Sequence, residues 1–84
     1  MNVKAINITI YTLWTCDVWL STKSFSLEGV FSCKEKAIDT AKIKRLFHED
    51  THVVINKGLL DNYDDTEQRV FCTQYTRDRK LLMK

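Results

Sequence analysis

The chain contains no proline, and only two glycines, Gly29 and Gly58, occur in its 84 residues. It therefore has no Gly-rich phosphate loop, no linker and no low-complexity stretch. Cysteine is scarce and odd in number: Cys16, Cys33 and Cys72 are widely spaced and form no Cys-x-x-Cys pair. A small secreted domain would carry an even disulfide framework, so these three are expected as reduced thiols of a cytosolic protein, packed as small hydrophobes. Long apolar runs are lacking too. The nearest approach to a membrane span, residues 6–20, is broken by Asn7, Thr9, Thr12, Thr15 and Asp17. The N-terminus lacks the continuous apolar stretch of a signal peptide, so no membrane partner is expected.

What remains is a chain long enough for one modest core, expected as a single domain over 1–84. At 44% hydrophobic and 11% aromatic it is too apolar to be disordered throughout. Thirteen basic against eleven acidic residues leave a net charge of +2, with a pI near 8.5, below the strongly basic range of a dedicated nucleic-acid binder. The charge is patchy. Lys34, Lys36, Lys42, Lys44 and Arg45 form one basic block and Arg77, Arg79, Lys80 and Lys84 another, with Asp61, Asp64, Asp65 and Glu67 between them.

Period-two alternation of Ile6, Ile8 and Ile10 with Asn7 and Thr9 predicts a strand over 5–14, and Phe25, Leu27, Gly29 and Phe31 predict a second. Their connection, with Cys16, Val18, Trp19 and Leu20, is unusually apolar for a loop. Ser32-Cys33-Lys34-Glu35 has the form of a capping box, predicting a helix from there to about residue 47. Ala37, Ile38 and Ala41 share one face of it, whereas Ile43, Leu46 and Phe47 lie further round. Val53, Val54 and Ile55 predict a buried strand over 52–60, and alternation over 69–75 a fourth. Residues 76–84 are expected as a short helix or mobile tail. The order is β-β-α-β-β: a small α+β two-layer sandwich with one helix on an antiparallel sheet.

His48-Glu49-Asp50-Thr51-His52 satisfies His-Glu-x-x-His, which in zinc peptidases puts two ligands on adjacent helical turns and a general base beside them. Here Phe47 marks the expected helix end and Thr51 onward reads as strand, so the pair need not share a face. No third histidine exists, and a zinc-dependent hydrolase is the remotest reading, with no metal or other cofactor expected. Asp61 to Glu67 hints at a calcium loop, but the required Gly and Glu positions hold Thr66 and Cys72; a solvated acidic turn fits better. No spacing supports a nucleophile set built from Cys16, His48 and an acid.

Two binding features remain. In the basic block, cations near a helix C-terminus complement the dipole, and Asp39 and Lys42 have the i,i+3 spacing of an ion pair. The same residues with the C-terminal block offer a phosphate-contacting surface of Lys42, Lys44, Arg45, Arg77, Arg79 and Lys80, with Tyr11, Trp14 or Tyr75 for stacking on single-stranded bases. The other feature is Trp14, Trp19 and Phe25 around the first connection, the residue types that anchor protein interfaces.

Leu27-Glu28-Gly29-Val30-Phe31-Ser32-Cys33-Lys34-Glu35-Lys36-Ala37-Ile38 resembles a unit of small phage and bacterial proteins in which a strand ending Gly-Val-Phe-Ser runs into a capped helix. The likeness spans residues 6–56 and transfers no site residues. Size, a composition leaning to Lys, Ile, Asn and Asp, and the lack of enzyme motifs are similar to small early accessory proteins of T4-like tailed phages. That resemblance implies a counter-defence role against host factors. The expectation is a non-enzymatic accessory protein that binds and inhibits a host protein of a defence system in the bacterial cytoplasm. Trp14, Trp19 and Phe25 would form its interface, and an exposed sheet edge would allow a homodimer. The alternative is a small RNA-binding accessory protein using the basic residues named above.

Overall fold

A computed structural model describes residues 8–60, 68–75 and 81–83. Strands β1 (Thr9–Cys16), β2 (Ser26–Phe31), β3 (His52–Leu59), β4 (Gln68–Tyr75) and β5 (Leu81–Met83) join in the order β2-β1-β3-β4-β5. Every pairing is antiparallel. One helix, α1 (Lys34–Ile43), packs on β1, β2 and β3. This is the α+β arrangement of one helix on an antiparallel sheet that the sequence predicts. No helix among the described residues is long and apolar enough to cross a membrane.

Strand alternation decides which side chains meet the helix. Leu13 on β1 stands opposite Gly29 on β2 and Ile55 on β3, and Ile55 stands opposite Phe71 on β4. Leu13, Val53, Ile55 and Phe71 form one buried cluster with Ala37 and Ala41 of the helix. The two alanines, four residues apart, present only methyl groups and let the helix backbone come close to the sheet. Each large aliphatic side chain buried here contributes roughly 1.5–3 kcal/mol. Thr73 is fully buried beside them, and its hydroxyl accepts a hydrogen bond from the Val53 N–H at 2.8 Å, which removes the penalty of an unpaired polar group.

Gly29 sits where a side chain has no room. A Cβ there would lie 2.7 Å from the Phe31 ring, so the ring of Phe31 lies over the glycine and against the core cluster.

Several boundaries differ from the sequence expectation. The first strand runs on to Cys16, because Thr15 and Cys16 find partners in Val53 and His52; residues 5–7 lie outside the described residues. Ser32 is not the helix cap. Phe31 is still in strand, the N-cap falls on Cys33 in extended conformation, and no side chain caps the helix. The capping pattern is thus one residue out of register. The helix also stops at Ile43 rather than near 47. Arg45 takes a left-handed φ of 58°, the Arg45 N–H donates to Lys42 O at 3.1 Å, and the Leu46 N–H to Ala41 O at 2.9 Å. That is the Schellman arrangement, with arginine where glycine is usual. Leu46 and Phe47 therefore reach the core from outside the helix, which explains why they fall off its apolar stripe. Finally, Leu81–Met83 pairs with β4 as a strand, not as a helix or tail, since the open side of β4 offers its backbone groups a partner. Residues 76–80 lie outside the described residues.

Candidate protein-binding surface

Trp19 is 81% exposed on the connection between β1 and β2, as far out of the fold as Ile43 at the end of α1. The connection is tightly tied. The Asp17 carboxylate accepts hydrogen bonds from the Trp19 N–H at 3.1 Å and the Ser21 N–H at 3.0 Å, and from the Ser21 hydroxyl. The Leu20 N–H donates to the Asp17 carbonyl at 3.1 Å. Ser24 closes the far side, its hydroxyl accepting from the Asp17 N–H at 3.1 Å and donating to Ser21 O at 2.6 Å. A 3-10 turn at Thr22–Ser24 follows, and Leu20 adopts a left-handed φ of 54°. Asp17 accepts these local backbone donors because its short side chain reaches the N–H groups two and four residues ahead. The Ser21 hydroxyl, followed by the Ser21 and Trp19 N–H groups, holds the Asp17 carboxyl below its ordinary value of 3.8.

The sheet face opposite the helix carries the other two aromatic side chains expected at the interface. Trp14 follows Leu13 in the strand and so points away from α1, as do its partner Leu27 on β2 and its partner Val54 on β3. Trp14 and Phe25 meet edge to face at 6.2 Å, and the Trp14 Nε1–H donates to Thr12 Oγ1 at 2.8 Å. Val54 is fully buried between Trp14 and Cys72 on the neighbouring strands. Leu27 and Val30, at 50% and 54% exposed, extend the face toward the edge. Of the three interface residues predicted from sequence, Trp14 and Phe25 are brought into contact and half-buried, while Trp19 stands outward.

The basic residues are divided. Lys42 and Arg45 are exposed at the helix C-terminus, and Lys44 beside them contacts Glu28. Arg77, Arg79 and Lys80 lie outside the described residues, as does the acidic stretch 61–67.

The His-Glu-x-x-His segment is not helical. His48 and Thr51 form an isolated bridge, with the Thr51 N–H donating to His48 O at 3.3 Å, and His52 begins β3. The helical spacing that would bring the two imidazoles onto one metal is therefore missing. Among the described residues no three His, Cys, Asp or Glu side chains are grouped to hold a metal. Burial, followed by the neighbouring Cys72 and Asp17, pushes the Cys16 thiol above its ordinary value, the opposite of what a nucleophilic cysteine needs. A shallow hollow is lined by Thr9, Lys57, Gly58, Leu59 and Gln68, and among the described residues only Lys57 there is ionisable.

Sequence reasoning did not single out Asp17, Ser21 and Ser24, although an Asp followed by two serines in an otherwise apolar connection is a turn signal. Leu27 reads from sequence as an ordinary strand residue and Val30 is not singled out; their exposure follows from the edge position of β2, which local sequence does not encode. No protein-family model, curated protein or solved structure matches the chain.

Proposed function

We propose that this chain is a non-catalytic protein-binding protein that occupies its partner through Trp19 and the adjoining helix-free sheet face. The observation that carries the reading is the exposure of Trp19 on a connection whose backbone is tied down by Asp17. A large indole held outward by a preordered loop loses little conformational freedom on docking, and tryptophan is the residue type that most often dominates binding energy. Trp14, Phe25, Leu27 and Val30 supply further apolar surface on the helix-free face for the same partner. The finer part of the proposal rests on the resemblance to small early accessory proteins of T4-like phages: a host defence protein blocked by occupancy in the bacterial cytoplasm.

The second reading, an RNA-binding accessory protein, is favoured by the exposed pair Lys42 and Arg45 at the end of α1. Capture from bacterial lysate with wild type and Trp19→Ala, each with and without nuclease and at low and physiological salt, separates the two. A protein recovered by wild type in nuclease and salt, and lost with Trp19→Ala, supports the first. Recovery that depends on nucleic acid and falls steeply with salt supports the second.

A further inference from the structure

Among the described residues β2 ends the sheet order with β1 as its strand neighbour, so its far side offers a row of backbone donors and acceptors to another extended chain. Its side chains favour such pairing. Ser26–Phe31 contains no Pro, Lys or Arg, and Leu27 and Val30 are half exposed on the helix-free face. A second copy laid antiparallel alongside would set Leu27 and Val30 of each chain against those of the other, a self-complementary contact.

Two features oppose this, and both fall on Glu28. The register of β2 against β1 slips between Leu13 and Trp14, which leaves Glu28 as the extra residue of a bulge. Lys44, the helix C-cap, reaches the same residue. Its Nζ donates to the Glu28 carbonyl at 3.1 Å and lies 3.7 Å from the carboxylate, which Thr15 Oγ1 also contacts at 3.3 Å. The ion pair is half exposed and adds little stability. Its importance lies in where it sits.

We propose that Lys44, seated on the bulged Glu28, is a guard that stops β2 from pairing with β2 of a second copy. An incoming strand must either enclose the ammonium beside its own N–H donors or displace it and strip a charge-assisted hydrogen bond from the bulge. Both outcomes cost more than one added ladder bond returns.

Sedimentation velocity over a concentration series tests this. Lys44→Met keeps the aliphatic stem and removes the charge. Self-association is expected to tighten by about tenfold or more over wild type, the loss of one charge-assisted contact. Lys44→Arg should behave as wild type, and Val30→Lys added to Lys44→Met should restore the wild-type constant. Trp19→Ala added to Lys44→Met should leave the tightened association in place. The proposal is overturned if Lys44→Met, shown folded by its urea transition, sediments as wild type. It also fails if association of Lys44→Met survives Val30→Lys, or if wild type already dimerises and Val30→Lys separates it. Lys44→Gln, read by the same criteria, decides the matter should Lys44→Met not fold.

Discussion

The ring of Phe47 meets that of Phe71 edge to face at 6.2 Å, although Phe47 lies beyond the end of α1. The chain leaves the helix through the left-handed Arg45, and the turn that follows delivers Leu46 and Phe47 onto the exposed end of the core cluster. The lid over β4 is thus made by residues outside any regular element. Phe47→Ala should lower stability by about 2–3 kcal/mol, through lost burial and the lost aromatic pair. Urea unfolding with an unchanged slope and a lowered midpoint would be the signature.

Arg45 bears the cost of a left-handed backbone that glycine adopts without strain. Arg45→Gly is expected to raise stability by roughly 0.5–1 kcal/mol. A lowered midpoint would show that the arginine side chain contributes more than the backbone costs. If RNA is the partner, the same variant should weaken binding at low salt.

His52 is 8% exposed at the start of β3. Burial, the largest cause, holds its imidazole below the ordinary 6.5; Arg69 acts in the same direction and Asp17 opposes it. The folded state therefore favours neutral imidazole. Between the lowered folded value and 6.5 the unfolded chain binds the proton more readily, so stability rises with pH across that window. The contribution is complete above the unfolded value and is lost as pH falls through the folded one. Urea midpoints at about pH 7.5 and about pH 5 should fall more for wild type than for His52→Gln; equal falls would refute the assignment.

Asp17→Ala removes the acceptor shared by the Trp19 and Ser21 N–H groups. Amide exchange at both positions should speed up while exchange in β3 is unchanged. Affinity for a Trp19-dependent partner should drop by about tenfold, as ordering the loop becomes part of binding. Unchanged exchange would mean that the loop is held by other contacts.

The first four strands and the helix were legible because Val53, Val54 and Ile55 form a continuous β-branched run and because Ile6, Ile8 and Ile10, like Phe71, Thr73 and Tyr75, alternate with their neighbours in sequence; the three-residue β5 was not. Nor were the helix limits. Ser32 and Glu35 carry a capping pattern, but strand pairing of Phe31 with Tyr11 keeps the chain extended long enough to move the start onward. The helix end was hidden because it uses arginine, not glycine, in the left-handed position. The aromatic surface was half legible. Trp14, Trp19 and Phe25 stood out by type, while the Asp17 loop that orients Trp19 and the Lys44 contact on Glu28 depend on residues brought together by folding.

β1 lies between β2 and β3 in the sheet and precedes both in the chain. β1 must find β3 across the whole of β2 and α1, so when β1 leaves the ribosome only one of its two neighbours is near in sequence. Until His52–Leu59 emerges, one flank of an apolar segment stays unsatisfied, and non-local closure of this kind slows folding. During translation, that interval is when the nascent chain is most in need of a chaperone.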